Sequence, residues 1–273
     1  MIESFVLRIK RRETPFFQFL YRLAKGVNSA SLPLPRFFHP GLRMLYSFHQ
    51  GVIWLFNWTV AFFYYEPLFR GRCESVGKRF SLVKMPFVKG HTKIYIGDDV
   101  RMWGNIDIFS GRTFDEPKLI LHNRVSIGHG SNFHINKEVV IEEGVNIAGN
   151  VSIRDTDAHP RNIADRTAGL PPGAGEIRPI RICRNAWIGN DCYILKGVTI
   201  GEGAIVGAGS VVMTDIPPHS VAMGNPARVV MKNPSLAAEG PREPQVGALP
   251  RKPPMNGSKV SCLPIDDLKS RIS

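Results

Sequence analysis

Residues 154–179, RDTDAHPRNIADRTAGLPPGAGEIRP, are polar, rich in glycine and proline, and contain one histidine. An imidazole with an ordinary pKa of about 6.5 can accept the proton of an attacking hydroxyl near neutral pH, so His159 is a candidate general base. Asp155 and Asp157 stand beside it, and either could hold its tautomer or could simply form the turns of a loop. Pro160 restricts the backbone of His159. Composition alone leaves open a surface loop with an incidental histidine. A second chemistry is offered by His122, His129 and His134, because three imidazoles around zinc leave a position for activated water. The upstream partner would have to be His91, which lies at a non-matching distance; histidines on an outer surface are the plain alternative. The four cysteines, Cys73, Cys183, Cys192 and Cys262, form no CxxC pair, which suits free thiols in a reducing, cytoplasmic setting.

The elements that must position these groups are unusually regular. Ile182, Ile188, Ile194, Ile200, Val206 and Val212 recur every six residues, and Gly189, Gly201 and Gly207 follow three of them. Helices repeat near 3.6 and strands at 2, so neither gives this period. Six residues per side and three sides per coil describe a parallel β-helix of hexapeptide type, an all-β solenoid with each aliphatic residue pointing inward. The same grammar runs through Ile96, Met102 and Ile108, then Leu121, Ile127 and Phe133, then Ile141, Ile147 and Ile153. The count breaks at GRTFDEP, residues 111–117, and between Phe133 and Ile141, where a step of eight predicts a short bulge. It breaks longest at the histidine loop, residues 154–181. The catalytic β-helix is therefore expected over residues 94–217, with a C-terminal cap over 218–234 folding back on it.

The stretch TDAHP, followed by PIRICRNAWIGNDCYILKGVTIGEGAIVGAGSVVMTDIPPHSVAMGNPARVV, resembles the hexapeptide-repeat acetyltransferases, in particular the maltose/galactoside O-acetyltransferase-like branch and its polysaccharide-biosynthesis members. The resemblance covers about residues 94–231. It implies a left-handed β-helix, a homotrimer with sites between subunits, acetyl-CoA as donor, no metal, and direct transfer to a sugar or glycan hydroxyl. It also implies roles: His159 as catalytic base, Asn132 and Trp187 at the acceptor, and Gly189, Asn190, Ala208, Thr214, Arg228 and Lys232 at acetyl-CoA. The family often has Thr-Lys before Asp-Ile-Pro where this chain has Met213-Thr214, so one cationic contact is missing and Lys232 could substitute. The rivals are a metalloprotein resembling the γ-class carbonic anhydrases, through the histidines of SIGHGSNFHI, and a β-helix scaffold without catalysis. The metal reading leaves both TDAHP and GNPARVV unexplained.

Net charge separates the rest of the chain. Residues 1–93 hold 15 Lys/Arg against 4 Asp/Glu, while residues 94–231 hold 13 against 15, so the formal +12 belongs to the N-terminal third. That third is expected to be helical, and its basic and aromatic clusters suit either a cap on the β-helix or the surface of an anionic membrane. Residues 52–65, VIWLFNWTVAFFYY, are too few to span a bilayer, which needs about 20. No nucleic-acid motif accompanies the charge, and MIESFVLRIKRRETPFF lacks the apolar core of a secretory signal. Membrane contact would make a polyprenyl-linked glycan a natural acceptor. Residues 235–273, rich in Pro, Gly, Ser and charge, are expected to be disordered.

Overall fold

The computed structural model describes residues 2–29 and 35–232, so the tail expected to be disordered lies outside the described residues. The six-residue period becomes three sheets of parallel strands that the chain visits in rotation. The first face collects Ser75–Val76, Lys93–Ile96, Lys118–Leu121, Glu138–Ile141, Ile180–Ile182 and Thr199–Ile200. The second collects Ser81–Leu82, Arg101–Met102, Ser126–Ile127, Asn146–Ile147, Trp187–Ile188 and Ile205–Val206, and ends in the hairpin Ser220–Gly224 and Ala227–Lys232. The third holds Phe87–Lys89, Asp107–Ser110, Asn132–Ile135, Ser152–Arg154, Tyr193–Ile194 and Val211–Val212.

Register explains why the period must be kept. Ile96, Leu121, Ile141, Ile182 and Ile200 stand opposite one another down the first face. Met102, Ile127, Ile147, Ile188 and Val206 do so on the second, and Ile108, Phe133, Ile153, Ile194 and Val212 on the third. All are 0–3% exposed. Strand amides find their partners in neighbouring coils, so a one-residue slip would unseat a side chain from all three rows. Where corners stack, backbone passes against backbone: a Cβ on Gly189 would stand 2.7 Å from the Ala208 nitrogen.

Two expectations need correction. The step of eight from Phe133 to Ile141 is not a bulge. The strands Asn132–Ile135 and Glu138–Ile141 each run four residues, and Ile135 and Val139, both fully buried, add two inward positions. Coils also begin before residue 94, because the ladders open at Ser75–Val76 against Tyr95 and Ile96.

Upstream lie the helices Ile2–Arg11, Pro15–Ser29 and His39–Val60, a π-helical turn at Ala61–Tyr65, and the helix Glu66–Arg72. The last helix and the turn before it reach the core: Phe69 is 1% exposed and stacks on Phe80 with centroids 6.0 Å apart, plugging the open end of the prism, and Tyr65 packs against the same cluster. The helix His39–Val60 buries none of its residues. Among the described residues no helix is long and apolar enough to cross a membrane.

Phe133 fills the prism between Ile108 and Ile153 and cannot be replaced from solvent. Phe133→Ala is expected to lower stability by about 3–5 kcal/mol in denaturant unfolding, with the loss concentrated in neighbouring coils.

Candidate active site

The long loop leaves the third face after Arg154 and rejoins the first at Ile180. It is held rather than loose. Asp155, fully buried, accepts the backbone N–H groups of Asn136, Lys137 and Glu138 at 2.8, 2.6 and 2.9 Å. Burial pushes its carboxyl up to about 6 while those three donors pull the other way, so at neutral pH the ionised form caps the turn beneath it. Asp157 pairs with the Lys196 ammonium, which also donates to the Glu176 carbonyl at 2.7 Å, and with Arg161 at 3.8 Å. Farther out, Asn162 caps the short helix Ile163–Thr167. Thr113 Oγ1 donates to the Pro172 carbonyl at 2.9 Å and Arg112 to the Gly169 carbonyl at 3.0 Å, so the 111–117 loop supports the tip.

His159 is exposed, and follows Ala158, whose φ is +68°. Neither aspartate holds it. The alternative realised for Asp155 and Asp157 is the structural one, because backbone amides and a buried lysine are nearer and stronger claims on their oxygens. Two residues that spacing did not single out stand here instead. Lys196 is 8% exposed yet ties both arms of the loop together. Glu176 accepts the Arg161 N–H at 3.1 Å on one oxygen, while its other oxygen is buried without a hydrogen-bond partner. No local pattern marks either, since both act across folded loop geometry.

The remaining candidates are divided between faces. Asn132 shares the third face with the loop root, in a row where Ser152 Oγ donates to Asn132 Oδ1 and Arg154 Nε donates to Ser152 Oγ, both at 2.8 Å. Trp187 is exposed on the second face. Gly189, Asn190 and Ala208 lie at the corner between the second and third faces, where the Asn190 carbonyl accepts the Gly209 N–H at 2.8 Å. Among the described residues the Asn190 and Ala208 N–H groups are not consumed by the backbone ladder. Thr214 is exposed just beyond the strand Val211–Val212; Arg228 and Lys232 are exposed on the closing hairpin, opposite Met223 and Ser220. Within a single chain the histidine corner and the Gly189–Ala208 corner are therefore different corners of the prism.

The histidines of the metal reading are also separated. His122 follows the first face, His129 packs its ring over Gly149 at the next corner, and His134 stacks on Phe109 on the third face. Among the described residues no three His, Cys, Asp or Glu side chains gather as a metal-binding group. Cys73, Cys183 and Cys192 are free, with burial pushing the Cys73 thiol up to about 12.

If the Asp155 carboxylate is a backbone cap, Asp155→Ala takes the acceptor from three N–H groups, one buried and two partly buried. A loss of about 3 kcal/mol in unfolding free energy is expected, measured by denaturant titration.

Comparison with known proteins fits this geometry. Residues 179–213 match the family described as bacterial transferase hexapeptide (six repeats). A candidate acetyltransferase of Staphylococcus aureus (strain COL) is 51% identical over 77 residues, which are 28% of this chain and 37% of that protein. A candidate acetyltransferase of Saccharomyces cerevisiae is 38% identical over 125 residues, 43% of this chain and 61% of that one. The chain thus spans less than two thirds of the length of these relatives. Among solved structures, a point mutant of AntD, a Bacillus cereus N-acyltransferase in complex with dTDP-4-amino-4,6-dideoxyglucose and coenzyme A, aligns with a TM-score of 0.50 at 18% identity. The alignment covers 63% of this chain and 91% of that chain, and it speaks to the fold alone. A maltose O-acetyltransferase from Clostridium difficile 630 is 29% identical over 68% of this chain and 84% of that one, with a TM-score of 0.41. The coils that follow the histidine loop are a hexapeptide-repeat transferase domain.

Proposed function

We propose that this protein is an acetyl-CoA-dependent O-acetyltransferase acting on a sugar hydroxyl, on a left-handed β-helix assembled as a homotrimer. The observation that carries the reading is an exposed histidine on a firmly held loop, immediately ahead of the transferase repeat at residues 179–213. His159 takes the proton of the acceptor hydroxyl as its oxygen attacks the thioester carbonyl. The C–S bond then breaks, and the same imidazolium returns the proton to the departing thiolate. General-base help of this kind is worth typically ~10²–10⁴-fold. The free N–H groups of Asn190 and Ala208 are fixed donors for the oxyanion that forms between the two steps. Glu176, with one buried oxygen unpartnered, is the carboxylate at hand to orient His159.

The separation of corners supports the trimer. A prism presents His159 at one corner and the Asn190–Ala208 groove at another, so two copies side by side can close a cleft that one copy leaves open. Acceptor contacts are assigned to Asn132 and Trp187; donor contacts are assigned to Gly189, Asn190, Ala208, Thr214, Arg228 and Lys232. Metal chemistry has no part in this reading.

The helix His39–Val60 and the turn after it suggest where the enzyme works. Trp54, Phe56 and Phe63 are 66–70% exposed, in a region that carries most of the chain's net positive charge. An anionic bilayer interface satisfies both features, placing the enzyme on the inner face of the cytoplasmic membrane and favouring a polyprenyl-linked glycan in polysaccharide assembly.

Thiol release from acetyl-CoA, followed over a panel of sugars and lipid-linked glycans, tests the chemistry: His159→Ala should fall at least ~10²-fold below wild type. Acceptor-independent release, or equal rates in the two proteins, would overturn the role of His159. In flotation with vesicles, the full chain should rise with anionic but not with neutral lipid, and salt should weaken the binding. A protein that stays at the bottom with both would remove the membrane from the proposal.

A further inference from the structure

Next to the loop root is a cleft of about 450 Å³ that the transfer chemistry does not use. Its apolar wall is an aromatic pair, Phe109 and His134, stacked with centroids 4.8 Å apart and planes 24° from parallel. Its charged side chains are Lys89 and Arg112, and no carboxylate lines it. Asn136, 2% exposed, faces the same space: its Oδ1 accepts the Thr113 N–H at 3.4 Å, while its amide nitrogen makes no hydrogen bond among the described residues. A Cβ on Gly111 would collide with that amide, so glycine here keeps the polar group in place. Ala158 lines the cleft, which puts its rim one residue from His159.

An aromatic face takes the C–H surface of a pyranose ring, and an unpartnered amide takes its hydroxyls. A guanidinium and an ammonium without acidic neighbours select a carboxylate or a phosphate. We propose that this cleft is a specificity subsite for a sugar unit bearing an acidic substituent, held so that a neighbouring hydroxyl reaches His159. The proposal rests on the acetyl-transfer reading and adds to it the chemical class of the acceptor. Burial and the nearby Arg154 hold His134 below the ordinary histidine range, which favours the neutral ring in this aromatic wall.

The test is binding of glucuronic acid, glucose 1-phosphate and glucose to the full chain by ligand-observed NMR, with thiol release measured in parallel. One or both acidic sugars should bind at least ~10-fold more tightly than glucose, and the two probes tell a carboxylate site from a phosphate site. That preference should shrink in Arg112→Gln and in Lys89→Gln, and Phe109→Ala should weaken all three ligands. Because Arg112 also steadies the loop, Lys89→Gln is the cleaner variant. Equal binding of glucose and both acids, or a preference unchanged in both charge variants, overturns the subsite. Acid-selective binding without thiol release to any acceptor keeps the cleft and overturns the transfer reading. Release to neutral sugars without acid binding does the reverse.

Discussion

No coil of this prism can bury itself. Each turn supplies three short strands and a few inward side chains, and its amides and apolar groups are satisfied only by the coils above and below. Such a structure is held by nearest neighbours, so its two ends are its weak points. The chain treats them differently. Phe69 plugs one end with an aromatic ring against Phe80, and the other is closed by a hairpin that sends Ala222 and Ala227 into the core. Insertions are tolerated only at corners, where they do not interrupt a row. Both long loops, 111–117 and 154–181, leave the third face and return to the first, and this is why they meet.

That meeting makes the candidate site. A polar loop of this length would sample many conformations on its own. Here a buried carboxylate caps the backbone at its root, a buried ammonium joins its two arms, and the 111–117 loop receives its tip. The charged groups that looked from the sequence like assistants of the histidine are consumed in this work. What the loop leaves unused is the unpartnered oxygen of Glu176, and beside its root lies a cleft with aromatic and cationic walls.

The N-terminal helices obey a different logic. Their polar and apolar groups do not close a core with the prism except through Phe69 and its partly buried neighbours, and Trp54, Phe56 and Phe63 are left facing outward. Exposed aromatic side chains in such numbers are uncommon on a soluble surface and mark a place of contact. Positive charge concentrated in the same third of the chain narrows what that covering can be.

The sequence by itself determined the coils. Apolar residues at steps of six, from Ile96 to Val212 with three interruptions, specify which residues point inward, because the period is a property of local backbone geometry and needs no knowledge of distant contacts. It also marked His159, since a break in so strict a count stands out. What it could not specify was anything settled between segments far apart in the chain. Four-residue strands around Phe133 looked like a bulge, because an extra pair of inward residues and an extruded residue give the same spacing. Asp155 and Asp157 looked like partners of the histidine because they are near it in sequence, yet amides at 136–138 and a lysine at 196 claim them in space. Tertiary structure alone decided those pairings, and with them the cleft at Phe109 and His134, because electrostatic and packing partners are chosen by three-dimensional distance.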